Sequence, residues 1–334
     1  MTRFNGSILG SVRSSNNTSA SGVWSINNVG VARLSGAWPV VTSALNFGYT
    51  SGGQTASGGT NVIDKFSFSS DGNASDVGDL SVSRRLGLAG SSSAEFGYTS
   101  GGQAATTPTL LNTIDRFPFA VGTNATDVGD LSAIRRALAG QNSETNGYTS
   151  GGYTAAPGLV RVATIDKFPF ATNTNATNIG SITQGRYGPA GQSSTVSGYT
   201  SGGNAPTGSN VNTIDKFPFA TDANATDVGD LTQSRRLLAG QSSTSSGYSS
   251  GGGVSALNTI DKFPFATNAN ATDVGDLTQS RHGVAGQSST VSGYTSGGAP
   301  NINTVDKFPF STDANATDVA DLTVGRYGVA GQQG

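Results

Sequence analysis

The chain has 334 residues, of which 12% are charged and 34% hydrophobic, with 48 glycines, no cysteine, and 19 basic against 21 acidic side chains for a formal charge of −2. Lack of cysteine excludes disulfides, thiolate metal sites and cysteine nucleophiles, and fits folding in a reducing cytosol. The nearly balanced charge excludes the basic footprint of a nucleic-acid-binding protein, no apolar run approaches the roughly twenty residues of a membrane helix, and no signal-peptide pattern follows Met1.

In chain order, residues 1–46 come first and differ from everything after them; they hold both tryptophans, Trp24 and Trp38. From residue 47 a phrase close to Gly-Tyr-Thr-Ser-Gly-Gly recurs six times, with its tyrosine at Tyr49, Tyr98, Tyr148, Tyr199, Tyr248 and Tyr294. In step with it run the acidic residues of an Ile-Asp-Lys-Phe phrase (Asp64, Asp115, Asp166, Asp215, Asp261, Asp306) and an arginine ahead of a small-residue run (Arg85, Arg135, Arg186, Arg235, Arg281, Arg326). A period of about forty to fifty residues rich in glycine and aromatics belongs to propeller blades or helical arrays. The threonine and β-branched content, in short runs punctuated by turns, excludes helices. The expected fold is therefore all-β: a six-bladed propeller of four-stranded blades over residues 47–334, with 1–46 as a separate attachment segment.

Each module predicts its own strands. A run such as Val284 to Ser288 is innermost, where blades converge and large side chains do not fit. The Gly-Tyr-Thr-Ser-Gly-Gly run is second, its glycine pair free to take positive φ at a turn. Thr-Ile-Asp-Lys-Phe is third, with isoleucine facing one side and aspartate and phenylalanine the other. The prolines of the Phe-Pro-Phe phrase (Pro118, Pro169, Pro218, Pro264, Pro309) mark its end, since proline cannot donate to a ladder. The stretch around Asp227 to Leu231 is the outer edge, with acidic residues that discourage pairing with other chains. The last inner strand, within 327–333, has no module after it and is expected to complete the first blade.

A glycine pair ending the second strand, an acidic third strand, and an outer strand followed by leucine and then arginine together resemble the kelch repeat. The usual outer-strand tryptophan is here valine or isoleucine (Val77, Val128, Ile179, Val228, Val274, Val319). The first segment is similar to the N-terminal segment of tail and other virion proteins of marine tailed bacteriophages, especially those infecting cyanobacteria. The matching residues are Ser21-Gly22-Val23-Trp24-Ser25-Ile26 and Ala37-Trp38-Pro39. This resemblance implies a non-enzymatic virion protein: a tail fibre, appendage or surface decoration present in multiple copies. It would be made in the host cytoplasm and attached to other virion proteins through Trp24, Trp38 and Pro39.

No residue set points to a cofactor, metal or catalytic centre. His282 is the single histidine and stands next to Arg281, at a position read as arginine, tyrosine, leucine or alanine in the other modules; a triad or zinc site needs more than one such group. The six in-register arginines have the geometry to clamp an anion, but one per blade suits an inter-blade ion pair with an aspartate better. Aspartate and asparagine runs such as Thr221 to Asp227 lack the calcium-loop spacing and read as Asx turns, as do the Asn-Ala-Ser/Thr sequons at Asn73, Asn124, Asn175, Asn224, Asn270 and Asn315. Between the glycine pair and the third-strand isoleucine or valine the separations are 10, 12, 13, 11, 8 and 7 residues, so this loop takes nearly all the length variation. It shares a face with the arginine-bearing connections. The longest copy adds Tyr153, Leu159, Val160 and Arg161, a mix common at contacts, with host-surface glycan as the candidate ligand. A glycan-processing propeller is the alternative; it would need converging acidic and basic residues that depart from the repeat consensus, and none is read from the modules.

Overall fold

The structure is a computed structural model that describes residues 14–15, 20–21, 46–106, 109–155, 158, 160–253 and 255–334. The chain divides into two units, Met1–Ala44 and Leu45–Gly334. Within the first, Ser14–Ser15 pairs antiparallel with Ala20–Ser21; Trp24, Trp38 and Pro39 lie outside the described residues.

The second unit is a six-bladed β-propeller. Blade 4 shows the plan: an inner strand Ala190–Ser193, then Ser197–Ser201, then Thr213–Pro218, and an outer strand Thr226–Asp230, each antiparallel to the one before. The third strand ends on its proline, as a residue without an N–H dictates. The glycine pair after the second strand adopts positive φ, 63° at Gly202 and 108° at Gly203, a turn that a Cβ would strain. Blade 1 is assembled from both ends of the unit: Ala330–Gln333 is its inner strand, pairing Tyr49 with Gln332 and Ser51 with Ala330. The ring thus closes without leaving the edge of Phe47–Ser51 open.

Small residues are required at the axis because the inner strands touch. A Cβ on Gly140 would lie 2.0 Å from the carbonyl oxygen of Gly90, one on Gly240 2.1 Å from that of Gly191, and the series returns through Gly331 to Gly286 at 2.2 Å. One turn outward a second ring forms from backbone alone. Ala137 donates to Gly87, Gly188 to Ala137, Leu237 to Gly188, Gly283 to Leu237, Gly328 to Gly283 and Gly87 to Gly328, at 2.6–3.0 Å.

Between blades the core is repeated six times. Both faces of a blade are buried, which is why third strands alternate buried residues of opposite direction. In blade 2, Ile114 packs with Phe168 of the next blade, whereas Phe117 packs with Tyr49 and Ile63 of the preceding one. Each tyrosine of the second strand lies against both phenylalanines of the next blade's Phe-Pro-Phe phrase, or of Phe66-Ser67-Phe68 in blade 1; Tyr199 stacks on Phe265 with centroids 4.8 Å apart and tilts against Phe263 at 5.5 Å. Such pairs contribute about 0.5–1.5 kcal/mol beyond their buried area. The sequon asparagines clip blades at the rim: Asn124 Oδ1 accepts from the Asp79 N–H at 3.1 Å, and Asn175, Asn224, Asn270, Asn315 and Asn73 do the same at 3.0 Å to their preceding blades.

Candidate functional site at the axial mouth

The connection from each outer strand to the next blade places two neighbouring residues in opposite environments. The first is an arginine with no solvent exposure, ion-paired to the third-strand aspartate of the next blade. Arg135–Asp166, Arg235–Asp261, Arg281–Asp306 and Arg326–Asp64 lie at 2.6–3.0 Å, and Arg186 pairs with Asp215. In the first module this residue is Arg84, 2.6 Å from Asp115, and not Arg85. The tandem Arg84-Arg85 leaves the register ambiguous in sequence; burial resolves it. Each aspartate is also held by the preceding connection: Asp261 accepts from the Thr232 N–H at 3.1 Å and from its hydroxyl at 2.6 Å. Burial pulls the Arg235 guanidinium below its ordinary pKa while Asp261 opposes the shift, and its Nη1 and Nη2 groups also donate to the carbonyls of Ser249, Gly251 and Thr259. A side chain so enclosed has no face to offer a ligand.

The second residue of the pair does. With the register corrected it is Arg85, Arg136, Tyr187, Arg236, His282 and Tyr327, all half-buried, and all but Arg85 line one cavity at the axis end; the leucine and alanine attributed to the His282 position drop out. Here the modules do depart from their consensus. A second variable position faces it across a backbone bridge, the residue just after each glycine pair: Arg136 bridges Tyr153, Tyr187 bridges Asn204, Tyr327 bridges Gln54 and His282 bridges Ala299. Arg136, Tyr187, Arg236, His282 and Tyr327, with Tyr153 and Arg161, wall a cup of about 310 Å³ whose floor is the backbone ring of Gly87, Ala137, Leu237, Gly283 and Gly328. That volume is at the lower end of small-molecule sites. The cavity on the axis at the opposite end is about 130 Å³ and lined by neutral serine, asparagine and glutamine groups.

The loops shape the cup unevenly. In blade 3, Tyr153–Thr154 and Val160–Arg161 form a two-stranded ribbon that pairs Tyr153 with Arg161. Arg161 thereby sits 5.3 Å over the Tyr153 ring and 6.0 Å over Tyr187, and the two tyrosine rings lie 4.8 Å apart at 43°. Val160 is exposed on the outside of the ribbon, and Leu159 lies outside the described residues. Across the axis the shorter loops of blades 5 and 6 present only Gly253 and Ala299 at the equivalent position.

The electrostatics are one-sided. Arg136 donates to Gln103 Oε1 at 3.0 Å and Arg161 to Asn204 Oδ1 at 2.6 Å, both neutral acceptors. The Arg236 side chain donates to no protein acceptor among the described residues and lies 5.0 Å over the Tyr187 ring. No carboxylate lines the cup. Burial, and then the charge of Arg236, push the His282 pKa below its ordinary value near 6.5, so the imidazole is neutral at pH 7.

Of the residues singled out in sequence, Tyr153, Arg161 and His282 therefore meet at one site, while the six-arginine ring, with Arg84 in place of Arg85, lies between blades. Sequence reasoning missed Arg136, Tyr187, Arg236 and Tyr327. The signal was present as two of the positions at which the modules differ. No protein-family model matches the chain, and no curated protein sequence matches it.

Proposed function

We propose that this protein is a non-enzymatic binding propeller that adheres to surface glycan through its axial cup. The observation that carries the reading is the coincidence of three features at one place: the breaks in sixfold repetition, the longest loop, and unneutralised arginines beside tyrosine rings. A repeat scaffold that keeps its inter-blade ion pairs in register while the lining of the cup varies is suited to recognition. The lining carries no carboxylate pair of the kind most glycoside hydrolases use, which favours retention of glycan over its cleavage.

The glycine pairs, acidic third strands and arginine-bearing connections support a kelch-type repeat. The Ser21-Gly22-Val23-Trp24-Ser25-Ile26 and Ala37-Trp38-Pro39 phrases support a bacteriophage virion component, in which residues 1–46 attach to a neighbouring virion protein and the propeller is displayed. Several copies on one particle would turn weak single-site contacts into firm adhesion.

The test is the purified full chain on an array of neutral and acidic glycans, with reducing ends released into solution assayed in parallel. Retention of glycan without release, weakened by Tyr187→Ala, supports an adhesive propeller. Release of reducing ends would replace it with a glycan-processing enzyme, and retention unaffected by Tyr187→Ala would move the site away from the cup.

A further inference from the structure

We infer that the cup is a subsite for a single acidic sugar residue, one whose carboxylate meets the guanidinium wall while its ring lies on tyrosine. The inference rests on the adhesive reading above and names the ligand class.

Charge comes first. The chain as a whole is slightly acidic, yet the cup gathers Arg136, Arg161 and Arg236 with no carboxylate among its lining residues. The first two are held in place by neutral amide oxygens, which fix their direction without cancelling their charge. Three cations converging on a partly desolvated cavity repel one another unless an anion joins them, and guanidinium suits a planar carboxylate because both present paired, coplanar groups.

Size and polarity narrow the anion. A bare phosphate or sulfate would leave most of about 310 Å³ empty, and nothing on the floor would hold it. That floor is Cα and apolar side-chain surface, because the N–H groups of the backbone ring are already donated to neighbouring blades. The Tyr153 and Tyr187 rings supply a flat apolar surface beside the arginines. A ligand that satisfies both surfaces carries one negative group at its edge and an apolar face of C–H bonds, the construction of a uronic or sialic acid ring. A volume at the lower end of small-molecule pockets suits one such ring rather than an oligosaccharide.

Titration calorimetry of the full chain against glucuronic acid, N-acetylneuraminic acid, glucose and inorganic sulfate reads the class directly. The expected result is binding of one or both acidic sugars at least tenfold tighter than glucose or sulfate. Arg236→Gln should weaken it at least tenfold with unchanged melting temperature, as should Arg161→Gln independently. Sulfate binding as tightly as the sugars would overturn the proposal in favour of a simple anion site. Glucose binding equally well, with no effect of Arg236→Gln, would overturn it while leaving the adhesive reading standing. No binding of any of the four probes overturns it too; retention of larger glycans on the array would then still separate that failure from failure of adhesion.

Discussion

Arg235 and Arg236 are adjacent in sequence, identical in type and opposite in consequence, so substituting each with alanine sets the inter-blade reading against a direct control. Arg235 is fully buried, pairs with Asp261 at 2.9 Å and donates to three backbone carbonyls at 2.9–3.0 Å. Arg235→Ala leaves the Asp261 carboxylate with only the Thr232 N–H and hydroxyl, and leaves those carbonyls short of a donor. Breaking a buried pair by removing one partner costs about 3–5 kcal/mol. At about 1.6 °C per kcal/mol for a unit as long as Leu45–Gly334, the melting temperature should fall by roughly 5–8 °C. Arg236→Ala removes a half-buried side chain with no ion pair and should cost less than about 1 kcal/mol. Urea titration at pH 7, followed by circular dichroism, measures both. Equal losses for the two variants, or an Arg235→Ala loss below about 1 kcal/mol, would refute the division of labour between the neighbouring rings.

Three further outcomes follow from the same geometry. Gly240→Ala places a methyl 2.1 Å from the Gly191 carbonyl oxygen, a contact with backbone on both sides that cannot relax by rotamer; it should cost at least about 2 kcal/mol, and an unchanged urea midpoint would contradict inner-strand contact. Burial pushes the Tyr49 phenol up to about 12 and shifts Tyr98, Tyr148, Tyr199, Tyr248 and Tyr294 in the same direction. The folded state then keeps protons that the unfolded chain loses near pH 10, so stability is complete below pH 10 and falls above it, by about 2 kcal/mol for Tyr49 alone by pH 12. Phenolate absorbance from more than three of the nine tyrosines near pH 10 without unfolding would oppose this. Ending the chain after Arg326 removes the inner strand Ala330–Gln333 and bares the edge of Phe47–Ser51; light scattering should report association, and a stable monomer would show that closure is dispensable.

The blade plan was legible because each strand carries its own constraint: glycine at the crowded axis, proline where the third strand stops, Phe-Pro-Phe where two rings meet a tyrosine. Closure by the last strand was legible for the same reason, since Tyr327 to Gln333 repeats the inner-strand phrase without a module to follow. The cup was less so. Reading Arg85 as the repeat arginine shifts the first module by one residue, and since arginine occupies both places in modules 1, 2 and 4, local sequence cannot say which one is buried. That choice depends on which side chain meets Asp115 from the next blade, a contact between residues thirty positions apart. The clip made by the sequon asparagines was equally hidden, because an Asx turn and an inter-blade bond call for the same side chain.

The ring of backbone hydrogen bonds from Gly87 round to Gly328 makes the scaffold indifferent to what surrounds the cup. Its bonds come from main-chain atoms, and the side chains just before it make no ion pair among the described residues. Substitutions at those places, or length changes in the loops opposite them, should thus change the lining of the cup at little cost to folding. On the adhesive reading, the fold is a fixed socket, and Arg136, Tyr187, Arg236, His282 and Tyr327 are a five-letter address that mutation can re-spell.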